Sequence, residues 1–214
     1  ISSAASDVYK RQEMFPKVLK WHRWFMKWRF EEGFVYISHP WEAGRDNAPD
    51  WDKALATINP SGIAPYKRRD TEHVNPLMRP TQSDYDRYIW LVQQGRECKW
   101  NEDWLKKNSS FRVADPAMHF ILLRANRDLR LIGLNLGEDI SEIDSWISAL
   151  EKGVCKLWNY SLASYDSFDL INKSFAGSIS SASFMCWYGG VYDKRMLLHL
   201  SLIHISEPTR HERI

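Results

Sequence analysis

Apolar positions recur at helical spacing through most of the chain. Met14 to Phe30 is dense in Trp, Phe, Lys and Arg with apolar residues on more than one face, which predicts a helix packed between neighbours. Glu31 to Asn47 breaks the pattern with Gly33, Pro40 and Gly44 and reads as a functional loop. A short helix is expected from Pro49 through Ile58, while Asn59 to Pro80, with five prolines and glycines, cannot form one regular element. Thr81-Gln82-Ser83-Asp84 offers a capping-box-like start, and Tyr85, Ile89 and Val92 then mark one helical face with Tyr88 between them. Asp115-Pro116 supplies an N-cap and a first-turn proline. The stripe Met118, Ile121, Leu122, Ala125, Leu129, Ile132 and Leu136 follows, until Gly137 ends it. Asp139 to Glu142 caps a further helix with the stripe Ile140, Ile143, Ile147, Leu150, Val154 and Leu157. The short link at Gly137–Asp139 predicts that these two helices form an antiparallel hairpin. A loop with Tyr165, Asp166 and Asp169 precedes a short helix from Ser180 to Tyr188. No segment alternates convincingly with period two, so the expectation is an all-α protein of helical hairpins, with long loops at one end of them.

The two ends stand apart from this pattern. Asp7-Val8-Tyr9-Lys10-Arg11-Gln12 can be encoded by GAT GTG TAT AAG AGA CAG, whose reverse complement translates as Leu-Ser-Leu-Ile-His-Ile, the peptide at Leu200 to Ile205. Inverted copies of one DNA sequence at both ends are expected of attached DNA, and this one matches the transposase end used in tagmentation libraries. Residues 1–12 and 200–214 are therefore expected to be adapter-derived. Residues 13–199 are then the natural insert, and the apolar run Leu200–Ile205 carries no functional meaning.

Composition narrows the class. At 214 residues, 44% hydrophobic and 26% charged, the chain has the make-up of a globular protein. A net charge of +2 leaves no footprint for nucleic acid or a membrane surface. No apolar run reaches the roughly 18 residues of a membrane span. Three cysteines, Cys98, Cys155 and Cys186, lie far apart without metal-ligand spacing, which predicts a reducing, cytoplasmic setting and no metal site. Nothing in the sequence calls for a cofactor. Eleven tryptophans are several times the usual share. Indoles stack on the C–H faces of sugars, but they also fill spaces between packed helices, and composition alone favours the second use.

The stretch from His39 to Asp52, HPWEAGRDNAPDWD, sets carboxylates and two tryptophans on a Gly/Pro-shaped loop. Glycoside hydrolysis needs one carboxylic acid to protonate the leaving oxygen and a second carboxylate to activate water or attack carbon. On residue chemistry alone, Asp46 or Asp50 serves equally well as a cap for the helix after Pro49.

This stretch resembles the HPWESGxDNSPRWD pattern of the mannosylglycerate and glucosylglycerate hydrolase-like glycoside hydrolases, relatives of bacterial processing-α-glucosidase-like enzymes and, more distantly, of trehalase. Further matches in the same order are Arg69-Asp70-Thr71, Arg79-Pro80-Thr81 with Asp84-Tyr85-Asp86-Arg87-Tyr88, Asp115 to His119, and Leu157-Trp158 with Tyr165-Asp166. The resemblance implies part of an (α/α)6 barrel, about half of the toroid, and an inverting α-glycoside hydrolase acting on a small carbohydrate. It puts the general acid at Asp46, the sugar pocket at Trp41 and Glu42, and contacts to a glycerate group at Arg79 and Tyr85. A guanidinium suits that last task because it binds a carboxylate bidentately; the alternative for Arg79 is a structural fork. The pattern departs at Ala43, where serine is usual, and at Arg45, where an apolar residue is usual and an outward-pointing side chain is expected. The general base of the family comes from the last part of the barrel, and nothing after Asp169 resembles it, so these residues alone are expected to be inactive. The rival readings are a trehalase-, oligosaccharide α-glucosidase- or debranching-type hydrolase on the same barrel, and a non-catalytic helical repeat module.

Overall fold

The computed structural model describes residues 3–199. The stretch 200–214, read above as adapter-derived, lies outside the described residues, as do residues 1 and 2. The first helix, α1 (Ser3–Trp28), extends well ahead of the expected start at Met14, with Tyr9 to Met14 exposed. It buries Phe15, His22 and Phe25, and Val18, Leu19, Trp24 and Met26 pack partly buried against the cores, while Trp21 is left exposed.

Helix α1 ends where its sequence turns into a hairpin. Strands β1 (Phe30–Glu31) and β2 (Phe34–Ile37) pair antiparallel across a two-residue turn, with Glu32 at φ 54° and Gly33 at φ 92°. Two left-handed residues in succession match the right-handed twist of the flanking strands, and glycine takes the second position at no steric cost. The loop expected from Glu31 therefore begins as a strand pair. Strand β2 pairs with β3 (Val113–Ala114), β3 with β6 (Phe168–Asp169), and β6 with β7 (Ser174–Phe175), all antiparallel, in the order β1-β2-β3-β6-β7. A separate hairpin joins β4 (Trp158–Asn159) to β5 (Ser164–Tyr165). All four residues of β2 are buried. A strand covered on both faces shows no alternation, which is why the sequence pattern conceals this sheet.

The helices account for most of the described chain. After α2 (Asp52–Ala56), helix α3 (Gln82–Glu97) opens with a capping box in which Thr81 and Asp84 bond each other's backbone N–H. Helix α4 (Glu102–Asn108) starts at an Asn101 cap. Helix α5 (Pro116–Leu136) has Asp115 as N-cap and ends at Gly137 in the left-handed region, φ 74°. Helix α6 (Ser141–Val154) follows, with Asp139 Oδ1 accepting from the Ser141 N–H, and packs along α5 as the predicted hairpin. The short α7 (Met185–Tyr188) lies against the other side of α5. Helix α5 is thus gripped by α1, α6 and α7 together, and its buried set is Phe120, Leu122, Leu123, Asn126 and Leu129. The single stripe expected for it was too narrow: Ile121 faces solvent, while Phe120 and Leu123 are in the core.

The main core joins β2, α1, α5, α6 and α7 around Val35, Tyr36, Phe120, Leu123, Leu150 and Leu157. A second core, with Trp51, Leu55, Tyr88, Leu91 and Phe111, lies under the loop that follows β2. The small sheet fixes where the functional loops sit. Strand β2 leads into His39–Asp52, β3 into Asp115 at the head of α5, and the residues just before β6 bring Asp166 and Ser167, so three distant segments emerge side by side.

Candidate active site

Strand β2 delivers the chain to His39, whose imidazole braces the turn after it. Its Nδ1 accepts from the Trp41 N–H at 3.0 Å, and its Nε2 lies 3.1 Å from the Tyr88 carbonyl. A carbonyl only accepts, so Nε2 carries the proton and the ring is neutral. Burial holds the His39 pKa below the ordinary imidazole value, against the opposing pull of the Tyr88 carbonyl and Glu42. The turn Pro40–Ala43 ends at Gly44, φ 65°, a conformation open to glycine that lets the next two side chains diverge.

Arg45 turns inward, against the expectation that it points to solvent. Its Nη2 donates to Asp115 Oδ1 at 2.8 Å and its Nη1 to Asp50 Oδ2 at 3.3 Å, while the guanidinium lies 5.0 Å from the Trp51 ring centroid. Both acids are buried, and Asp50 Oδ1 also accepts from Ser167 and Ser180, each at 3.0 Å. Complete burial pushes the Asp115 pKa up; Arg45 opposes this and Asp50 adds to it. The guanidinium of this buried cluster comes from position 45. Neither Asp46 nor Asp50 caps the helix after Pro49, whose N-cap residue is Ala48 without a side-chain bond.

Asp46 turns outward, with about a third of its side chain exposed. Its carbonyl accepts from the Tyr88 hydroxyl at 2.7 Å, the Arg45 carbonyl accepts from Trp51 Nε1 at 2.8 Å, and Asn47 Nδ2 donates to the Met78 carbonyl at 2.9 Å. The backbone is pinned on both sides of Asp46 while its carboxylate stays open. Opposite stands Arg79, its Nη2 3.6 Å from Asp46 Oδ2 and its Nε 3.2 Å from Asp70 Oδ2. As a fork, Arg79 grips carboxylates rather than loop carbonyls.

Trp41 is 41% exposed and meets Tyr85 and Tyr88 with ring centroids 6.3 and 6.0 Å apart. Tyr85 stacks on Tyr66 at 5.6 Å on one side and carries the Arg68 guanidinium 4.5 Å from its ring centroid. Trp41 and Tyr85 are thus ring neighbours and Asp46 and Arg79 an ion pair, and buried Tyr88 touches both sets, its ring beside Trp41 and Tyr85 and its hydroxyl on the Asp46 backbone. Glu42 does not join them. It takes a forked ion pair from buried Arg29 at 2.9 and 3.2 Å and two hydrogen bonds from Ser38, backbone N–H at 3.0 Å and hydroxyl at 2.9 Å. Trp41 and Glu42 also line a cleft of about 310 Å³ with Arg29, His39 and Trp100, which neither Asp46, Arg79 nor Tyr85 borders. Sequence reasoning missed the partners that hold the site, Asp70 and Arg68 on one side and Asp115 on the other. Their mutual contacts carry no local signal; the Arg69-Asp70-Thr71 and Asp115 to His119 matches pointed to two of these places without giving them this role.

The sequence model of the family described as "Mannosylglycerate hydrolase MGH1-like glycoside hydrolase domain" matches residues 2–210. The chain is 40% identical over 179 residues to the mannosylglycerate hydrolase of Thermus thermophilus, covering 83% of this chain and 43% of that protein. It superimposes on the crystal structure of a GH63 mannosylglycerate hydrolase from Thermus thermophilus in complex with Tris, with a TM-score of 0.87 and 36% identity, over 94% of this chain and 49% of the other. For the complex of that enzyme with Tris and D-glycerate the values are 0.86 and 38%, over 91% and 48%. The chain spans about half the length of these relatives or somewhat less.

Proposed function

The chain belongs to the mannosylglycerate hydrolase MGH1-like glycoside hydrolase family, and from that membership we propose that it is the general-acid portion of an inverting α-glycoside hydrolase acting on a glycosylglycerate. Its helices and hairpins would then form about half of an (α/α)6 barrel. Asp46 is the proton donor, Arg79 and Tyr85 receive the glycerate group, and Trp41 offers an indole face to the sugar. Glu42, with its four acceptor contacts made inside the protein, would line the pocket through its fixed position rather than through a free carboxylate.

The observation that carries this reading is the 3.6 Å approach of Arg79 to Asp46, with Tyr85 and Trp41 joined to the Asp46 backbone through Tyr88. A donor for the glycosidic oxygen and a cation for the carboxylate of the leaving group must lie side by side, because the oxygen and the carboxylate are close together in a glycosylglycerate. Arg79 has its Nε engaged by Asp70, so its terminal nitrogens are the ones available to a ligand. A bound carboxylate would draw them from Asp46, leaving that carboxyl free to turn to the glycosidic oxygen. The second carboxylate of an inverting pair, roughly 6.5–9.5 Å from the acid, would come from outside these residues.

The test is to assay a full-length protein containing this segment on mannosylglycerate, glucosylglycerate and trehalose, following the anomer first released by NMR. Release of glycerate from either glycosylglycerate with inversion is expected. Hydrolysis of trehalose with neither glycosylglycerate touched would refute the reading.

A further inference from the structure

The segment between α2 and α3 has almost no regular structure, yet one partly buried carboxylate organises it. Asp70 accepts from Arg68 at both oxygens, at 3.1 and 2.7 Å, and from Arg79 Nε at 3.2 Å. Its side chain is 12% exposed. Arg68 makes two further contacts. It donates to the Pro80 carbonyl at 3.0 Å, fixing the backbone immediately after Arg79, and its guanidinium lies over the Tyr85 ring, 4.5 Å from the centroid.

We propose that Asp70 is a positioning residue for carboxylate recognition, holding Arg79 directly and Tyr85 through Arg68. The inference rests on the role given above to Arg79 and Tyr85. A guanidinium on a flexible stem that is held at Nε has its plane fixed and its terminal nitrogens aimed, so less freedom is lost when an anion docks. Arg68 does the same for Tyr85 by lying over its ring, a contact that favours one orientation of the phenol. Arg68 holds the Asp70 pKa down, with help from Arg79, at about 2, so the clamp keeps its charge across the ordinary pH range.

The experiment titrates the full 214-residue chain with D-glycerate and, in parallel, with glycerol, a neutral ligand of similar size, following tryptophan fluorescence. The wild type is expected to prefer D-glycerate. Asp70→Asn keeps the shape but loses the charge, and should cut that preference on the order of tenfold. Asp70→Glu should restore part of it. Arg79→Ala should abolish it. A merely structural role for Asp70 would weaken both ligands in proportion, and that outcome overturns the proposal. Loss of preference in Arg79→Ala with an unchanged Asp70→Asn overturns the role of Asp70 alone. An unchanged Arg79→Ala, or a wild type without preference, overturns the assignment of Arg79 and the positioning role with it.

Discussion

Replacing Arg45 by methionine removes the guanidinium that, among the described residues, the buried Asp50 and Asp115 share, and the structure allows the consequence to be estimated. Asp115 is 0% and Asp50 3% exposed. Breaking a buried pair by deleting one partner costs about 3–5 kcal/mol, because the remaining charge stays buried without compensation. Protonation of Asp115 limits that cost. Its pKa is already raised by burial and rises further once Arg45 is gone. A carboxyl whose folded pKa is raised contributes stability fully present below its unfolded value of about 3.9, and loses it as pH climbs through the folded pKa. The deficit of Arg45→Met should therefore be smallest near pH 4 and largest at neutrality. For a chain of this size about 2–4 °C accompanies each kcal/mol, so melting at pH 7 should fall by roughly 6–20 °C. Asp50→Arg alone sets a second cation beside Arg45 and should also destabilise. The double variant Arg45→Met/Asp50→Arg returns one guanidinium to the cluster and should recover at least half of the loss, a coupling of about 2 kcal/mol or more. Thermal and urea unfolding of the four proteins completes the cycle. Additive losses, or an Arg45→Met variant within about 1 kcal/mol of wild type, would refute the argument that Arg45 neutralises this cluster.

Three further outcomes follow from the same structure. His119 is fully buried, with Nε2 donating to the Leu150 carbonyl at 2.9 Å, and burial lowers its pKa to about 4; a depressed imidazole pKa makes stability fall as pH drops from about 6.5 toward 4, by up to about 3 kcal/mol, and His119→Gln should flatten that slope in urea titrations across the window. A methyl at Gly153 would collide with the backbone carbonyl oxygen of Gly33, which cannot swing aside, so Gly153→Ala should cost about 3 kcal/mol or more in a thermal melt. If residues 1–12 and 200–214 are adapter-derived, trimming to 13–199 should leave the melting temperature within roughly 4 °C, and a larger drop would count against that origin.

The sequence made the helices legible where their ends are chemically marked. Thr81 with Asp84, Asp115 with Pro116, Gly137 and Asp139 each stand at a helix boundary as anticipated, because capping is a local interaction between neighbours in the chain. The sheet was not legible, since its strands are two to four residues long and β2 is buried throughout. Arg45 was misplaced for a related reason. A lone arginine on a loop is ordinarily solvated, and its partner Asp115 lies 70 positions away. The resemblance to a family pattern marked out Asp46, Arg79, Tyr85 and Trp41, of which the fold pairs Asp46 with Arg79 and Trp41 with Tyr85. It said nothing of Asp70 as their brace, because that contact depends on how a proline-rich segment folds back on itself.

Asp46 as proton donor is the claim on which the account depends, and turnover of Asp46→Asn in a full-length protein containing this segment tests it most directly. Asparagine preserves the shape and the hydrogen bond from Tyr88 to the backbone carbonyl but has no transferable proton. General-acid catalysis contributes on the order of 10²–10⁴-fold, so kcat on the glycosylglycerate should fall by at least that while substrate binding changes little. A glycosyl fluoride, whose leaving group needs less protonation, should lose far less. Near-wild-type turnover of the glycosylglycerate by the asparagine variant would contradict the assignment.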